Sequence, residues 1–193
     1  MGDVALDELA STPWAVELIN DPKWTRTRTD SRLPKASGED SFFAETLATD
    51  RTIQACLTLR PTEEIYDDLA YQEIVTLIRV GDGLNGYPSI AHGGLVATLL
   101  DEVCGVLIVL NMEKSKERMK ESGKAGPCSM NYMTAYLNTI YKKPVPTPGV
   151  LKCTAKFERR DGRKLYVRAT IENGKGTIYT VGEAMFIEVK PMI

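Results

Sequence analysis

Hydrophobic and polar positions split the chain into a sparsely patterned opening stretch and a densely patterned remainder. Residues 52–60 alternate, with Ile53, Ala55, Leu57 and Leu59 on one side and Thr52, Gln54, Thr58 and Arg60 largely on the other. That period of two predicts a half-buried strand. Residues 73–80 are dense in β-branched side chains and stop at Gly81-Asp82-Gly83, which predicts a second strand. From Leu95 to Leu110 the chain is apolar except for Thr98 and the pair Asp101-Glu102. A helix without a polar face is expected to be buried on every side. The charged run from Glu113 to Lys120 carries opposite charges one turn apart and predicts a solvated extension of that helix. Strands are then expected at 129–143, 149–160, 164–173 and 177–190, joined by turns at Pro146-Thr147-Pro148-Gly149, Asp161-Gly162 and Asn173-Gly174-Lys175-Gly176. Strands on both sides of one long apolar helix imply an α+β fold with an antiparallel sheet wrapped around that helix.

The opening stretch reads differently. Pro13 is placed as the first residue of a short helix, with Thr12 as its N-cap and Asn20-Asp21-Pro22 as its stop. Residues 23–40 are polar, broken by Pro34 and Gly38, and predict a connecting segment. A second short helix is expected at 40–47, packing through Phe42, Phe43 and Leu47. The expected division is a short helical N-terminal extension over residues 1–50 and the main domain over 51–193.

Composition narrows the function classes. A net charge of −2 over 193 residues predicts no nucleic-acid binding from bulk electrostatics. No apolar run reaches the ~20 residues of a bilayer span, and Asp101-Glu102 interrupt the longest one. Before Lys23 the chain carries Asp3, Asp7, Glu8, Glu17 and Asp21 with no Lys or Arg, which opposes a secretory or Arg-rich leader. Cys56, Cys104, Cys128 and Cys153 lack metal or redox spacing, so reduced thiols and a cytoplasmic location are expected.

Candidate chemistry gathers at the start of the apolar helix. His92, the sole histidine, precedes Gly93-Gly94, and glycines let another backbone or a ligand approach closely. Unpaired N–H groups and the positive dipole end make such a helix start an anion site. Two carboxylates within an apolar helix are costly unless paired or used. One histidine excludes a multi-histidine metal site, and no phosphate or dinucleotide loop is present, so neither metal nor cofactor is expected. A Ser-His-Asp triad would lack its Gly-x-Ser-x-Gly elbow. A thiol nucleophile at Cys104 or Cys128 is conceivable, though neither has a spacing that places it beside His92.

His92-Gly93-Gly94 with Asp101 nine positions after the histidine resembles the acyl-CoA thioesterases of the hotdog fold, the PaaI-like and THEM-type group. The resemblance continues through Leu137-Asn138-x-x-Tyr141-x-x-Pro144 and the Asp161-Gly162-Arg163-Lys164 turn, covering about residues 70–189. It implies a hotdog fold, hydrolysis of acyl-CoA thioesters and sites across a dimer interface; a homodimer or a dimer of dimers is expected. It also implies Asp101 as general base or nucleophile, the Gly93 N–H as oxyanion donor with Gly94 beside it, His92 in support, and Thr134 orienting water or carboxylate. A helix-start N–H suits the oxyanion formed at a thioester carbonyl, and a carboxylate suits activation of water or direct attack. Candidates for CoA phosphate contacts are Lys142, Lys156, Arg163 and Lys164, each equally readable as surface charge.

Plainer readings stand beside these roles. His92 would serve as a cap, Gly93-Gly94 as close packing, Asp101 as the partner of Arg79, Thr134 as an ordinary strand residue, and Glu102 as a structural ion-pair partner. Asn85, seven before His92, is a possible carbonyl-binding amide in an uncertain register. Helix geometry supplies one constraint of its own: His92 and Asp101 point to opposite faces and lie about 13 Å apart along the axis. Gly93 and Asp101 therefore act on one carbonyl carbon only if they come from two chains. The same groups would serve an acyl-carrier-protein thioester, and a non-catalytic acyl-binding dimer is the alternative from outside enzymology.

Overall fold

The computed structural model describes residues 2–65, 69–123 and 131–189. Two helices open the chain, α1 (Gly2–Ala10) and α2 (Pro13–Asn20), followed by strands β1 (Trp24–Thr27), β2 (Ile53–Pro61) and β3 (Glu73–Val80). A small hairpin, β4 (Asn85–Tyr87) with β5 (Ile90–Ala91), leads into the long helix α3 (Gly93–Glu121). Strands β6 (Asn131–Tyr141), β7 (Gly149–Asp161), β8 (Lys164–Glu172) and β9 (Ile178–Val189) complete the fold. Seven strands form one sheet in the order β1-β2-β3-β7-β8-β9-β6, and every pairing is antiparallel. This is the expected α+β hotdog arrangement, with the sheet wrapped around α3.

The core forms where sheet and helix present apolar side chains to one another. Leu99, Leu100, Val103 and Cys104 of α3 are fully buried against Ile74, Ile78, Leu151, Cys153, Val167 and Ile171 of the sheet. Each such side chain contributes about 1.5–3 kcal/mol of transfer free energy. Gly182 of β9 lies under Leu100, where a Cβ would sit 3.1 Å from Leu100 Cδ1, so glycine sets how closely sheet and helix approach. Burial is not uniform around the helix, as the apolar run alone suggests. Ala97, Thr98, Asp101 and Gly105 are only half-buried and Val109 is exposed, forming a strip of small and polar residues facing outward. The helix also runs on to Glu121, where Lys114 bonds Glu117 at 2.7 Å and both Lys114 and Arg118 reach Glu64. By length and composition α3 would suffice to cross a membrane, but half of its apolar stretch is buried within the fold, as befits a core helix.

The opposite face of the sheet carries a second core. Ala55, Leu57 and Leu59 of β2 and Val75 and Leu77 of β3 pack with Leu9 and Ala15 of the first two helices. A β-bulge between Ile53 and Ala55 moves Ile53 to the α3 side, so the simple alternation of β2 does not hold across it. Within residues 23–40 the chain does more than connect: Trp24–Thr27 pairs with β2 as an edge strand. A helix begins at Pro13 as expected, although the Thr12 side chain makes no capping bond, and α1 precedes it without having been predicted. The second expected short helix is the single wide turn Phe42–Thr46.

After β1 the chain forms a strap over α3. Arg32 donates to the carbonyls of Phe43 (2.7 Å) and Ile53 (3.1 Å) and lies 5.3 Å from the Phe43 ring centroid. Hydroxyls of Thr29, Thr58 and Thr76 form a buried ladder from the strap into β2 and β3. On the far side, Asn111 of α3 bonds both the N–H and the carbonyl of Tyr71, fixing the approach to β3.

Candidate active site

The start of α3 is shaped by backbone bonds that leave one donor unused. The His92 N–H donates to Leu84 O at 2.8 Å and the Ala91 N–H to Val145 O at 2.9 Å, which locks the entry to the helix. Gly86 lies so close to His92 that a Cβ there would meet its Cα at 2.9 Å. His92 is the N-cap: its Nδ1 accepts from the Gly94 N–H at 3.0 Å, which puts the proton of a neutral ring on Nε2. No hydrogen bond from the Gly93 N–H to a described residue exists, and Gly93 is exposed at the positive end of the helix dipole. Tyr141 Oη donates to Gly93 O at 2.8 Å and ties the helix start to the end of β6. Tyr141 belongs to the Leu-Asn-x-x-Tyr motif, yet nothing in the sequence alone assigns it this contact. Asn85 is engaged by the Thr147 hydroxyl.

Two turns further on, Asp101 meets Thr134. The Thr134 hydroxyl donates to Asp101 Oδ1 at 2.9 Å, and no described residue bonds Oδ2. Arg79 does not pair with Asp101; it bonds Glu8 (3.1 Å) and Gln54 (3.1 Å) on the opposite face of the sheet. Asp101 forms no ion pair among the described residues and lines a cavity of about 370 Å³. Arg28, Ser31 and Lys35 of the strap and Phe186 of β9 form other parts of its wall.

Glu102 has a different surrounding. It accepts from the Ser31 hydroxyl rather than from a cation, contrary to the expected ion pair. Desolvation pushes its carboxyl above the usual range, with the Ser31 bond opposing and the charges of Asp40 and Asp101 adding to the rise. Burial likewise raises the Cys104 thiol, which removes it as a nucleophile. Cys128 lies outside the described residues. Among the described residues no group of three metal-ligating side chains occurs.

Two half-sites result, and one chain does not join them. Gly93 and Asp101 are about 12 Å apart along the axis of α3. Tyr141, beside Gly93, pairs in register with Thr180, whereas Thr134, beside Asp101, pairs with Phe186. The cations divide in the same way. Exposed Lys142 follows Tyr141 at the Gly93 end. Arg163 and Lys164 lie at the other end, where Lys164 pairs with Ile187 and Ile187 with Met133. Thr180 and Ile187 are about 23 Å apart along β9, so Lys142 and Lys164 of one chain stand at opposite ends of the strand. Lys156 is exposed beside buried Ala155 and points away from α3.

Comparison with known proteins shows a likeness to thioesterases. Residues 89–180 match the thioesterase superfamily model. Over 118 residues the chain is 34% identical to acyl-coenzyme A thioesterase THEM4 of Mus musculus, covering 61% of this chain and 44% of the mouse protein. It is 28% identical over 166 residues to verlamelin biosynthesis protein B of Lecanicillium, covering 76% of this chain and 71% of that one. The chain thus spans about half the length of the mouse relative. A hypothetical thioesterase protein from Streptococcus pneumoniae, solved with coenzyme A, superposes with a TM-score of 0.50. That match has 16% identity and covers 61% of this chain and 79% of that one, so it bears on the fold alone.

Proposed function

We propose, from the match of residues 89–180 to the thioesterase superfamily model and from the site geometry, that this protein hydrolyses acyl-CoA thioesters to free acid and CoA. Asp101 supplies the carboxylate. As general base it takes a proton from water while the water oxygen attacks the carbonyl carbon; as nucleophile it attacks that carbon itself. The carbonyl oxygen becomes an oxyanion held by the Gly93 N–H. The C–S bond then breaks, and the CoA sulfur leaves as thiolate and takes up a proton, on the general-base route the one Asp101 took from water. On the nucleophilic route the cleavage leaves an acyl–Asp101 anhydride, which water hydrolyses to the free acid and the regenerated carboxylate. Thr134 fixes the orientation of Asp101, and His92, by capping through Gly94, fixes the N–H direction at the helix start. The observation that carries this reading is the half-buried Asp101: free of ion pairs among the described residues, bonded to Thr134 and open to a cavity.

The site is shared between two chains. Gly93 and Asp101 lie too far apart in one chain to act on one carbonyl, and both half-sites border β6, the edge of the sheet. That strand exposes Met133, Tyr136, Ile140 and Tyr141, with relative exposures of 52%, 47%, 43% and 54%. A long apolar edge strand left bare invites pairing with a second copy. A homodimer formed there covers these side chains and brings Asp101 of one copy toward Gly93 of the other.

Steady-state hydrolysis of CoA thioesters tests the assignment. Asp101→Asn is expected to lower kcat by on the order of 10²-fold or more with little change in KM. Normal turnover by Asp101→Asn, with Glu102→Gln inactive, would assign the chemistry to the wrong carboxylate.

A further inference from the structure

Away from Asp101, a cavity of about 400 Å³ opens where the sheet loses its edge strand. β1 ends at Thr27, which pairs with Thr58, so Cys56 and Leu57 of β2 have no strand beside them on that side. The cavity wraps this bare edge between α1 and the strap. Leu6 of α1, Leu33 of the strap and Leu57 of β2 give it an apolar wall. Its charged lining consists of Arg26, Arg28 and Arg32, with no carboxylate among the described residues. Of these residues, Arg28 alone also lines the cavity beside Asp101.

The three arginines differ in what balances them. Arg28 pairs with Asp30. Arg26 is exposed and forms no ion pair among the described residues. Arg32 is half-buried and bonds the carbonyls of Phe43 and Ile53, again without an ion pair among the described residues. Burial pulls its guanidinium below the usual range, as expected of a cation taken from water without a carboxylate beside it. Two such guanidinium groups next to an apolar wall complement a ligand with one anionic head and an apolar body, and they repel an ammonium head. The planar fork of a guanidinium matches a carboxylate in particular. The volume falls within the roughly 300–1,000 Å³ of small-molecule sites. We propose that this cavity binds aliphatic monocarboxylates, with the carboxylate at Arg26 and Arg32 and the chain against Leu6, Leu33 and Leu57. This site lies apart from the catalytic one proposed above and does not depend on hydrolysis.

Octanoate is the probe, titrated into protein with isotope-labelled leucine methyl groups and followed by NMR, with calorimetry giving the affinity. Shifts are expected at the methyls of Leu6, Leu33 and Leu57. Octanol, which has the same chain without the charge, is expected to bind at least about tenfold more weakly. Arg26→Glu is expected to weaken octanoate at least about tenfold and to leave octanol within about twofold, whereas Arg26→Lys, which keeps the charge, loses less. Leu6→Trp fills the cavity and removes binding of both probes. Thermal melts check each variant; should Leu6→Trp fail to fold, Arg26→Glu on the exposed edge strand still decides the outcome. Shifts confined to Leu107, Leu110 and Leu165, which line the other two cavities, would overturn the proposal. So would the absence of shifts at about 10 mM octanoate, or binding indifferent to the charge at position 26. Asp101→Asn is expected to show the same leucine shifts whether or not it is active, so this site and the catalytic reading stand or fall separately.

Discussion

Asp101 and Glu102 are adjacent carboxylates on one helix, and their surroundings separate them. Asp101 takes a hydroxyl bond from Thr134 and borders a cavity; Glu102 takes one from Ser31 beneath the strap. Desolvation raises the Glu102 carboxyl above its unfolded value. A carboxyl raised in this way adds stability while protonated, and that contribution is lost as pH rises through the folded value. Glu102→Gln keeps an oxygen that accepts from Ser31 and carries no charge. Its melting temperature is expected to exceed that of the wild type at pH 8, with the gap closing as pH falls toward about 4, near the unfolded carboxyl value. Melting curves across that range check the sign, and a variant less stable than wild type at pH 8 refutes it. The Asp101–Thr134 pairing was anticipated only through the family resemblance, which implied Thr134 orienting water or carboxylate; spacing alone reads Thr134 as an ordinary strand residue. Ser31 was not, because it lies in a segment without periodicity and meets Glu102 only through the tertiary fold. Tyr141 was visible as a motif position, but its bond to the Gly93 carbonyl needs the register of β6.

Among the elements, α3 and the strands after it were legible because their apolar runs are long and their turns carry Gly, Pro and Asp. The strap and β1 were not. Four residues, Trp24–Thr27, are too short for alternation to register, and an edge strand with Thr and Arg looks like a loop. The bulge in β2 defeats a strict period of two and puts Ile53 in the core against α3, while Ala55, Leu57 and Leu59 face α1 and α2. Arg32 holds the strap in place by donating to the carbonyls of Phe43 in the strap and Ile53 in β2, both buried residues. Arg32→Ala is expected to destabilise the fold by about 3 kcal/mol, since it strands buried carbonyls as well as removing hydrogen bonds. Urea unfolding measures this; a loss well under about 1 kcal/mol would show that the strap is held by other contacts.

For the molecule as a whole, the decisive feature is that one chain carries two half-sites facing the same bare edge. The opposite ends of β6 border Gly93 with Lys142 and Asp101 with Thr134, and the cations expected to contact CoA divide between those ends. If Gly93 and Asp101 act together as proposed, the need for two chains follows from helix rise and was legible in the sequence. The bare edge proposed to join them was not, because apolar side chains on β6 resemble those of any half-buried strand. Light scattering is expected to report a dimer or a dimer of dimers, and an active monomer of 21.4 kDa would contradict it. Tyr136→Arg, which puts a charge on the exposed edge, is expected to weaken association and activity together.

Subunit complementation tests the shared site most directly. Asp101→Asn lacks the carboxylate, and Gly93→Pro lacks the oxyanion N–H. The helix start accommodates proline: His92 is extended (φ −61°, ψ 135°), and the nearest atom to a Cβ at Gly93 is Tyr141 Oη, at an ordinary 3.6 Å. Circular dichroism confirms that both variants fold, and differently tagged copies confirm exchange after the two are unfolded and refolded together. A mixed dimer then has one site with both lesions and one with neither, so a random mixture recovers about a quarter of wild-type activity if each site draws Gly93 and Asp101 from different chains. No recovery, with exchange demonstrated, would place both groups of each site in a single chain and contradict the account.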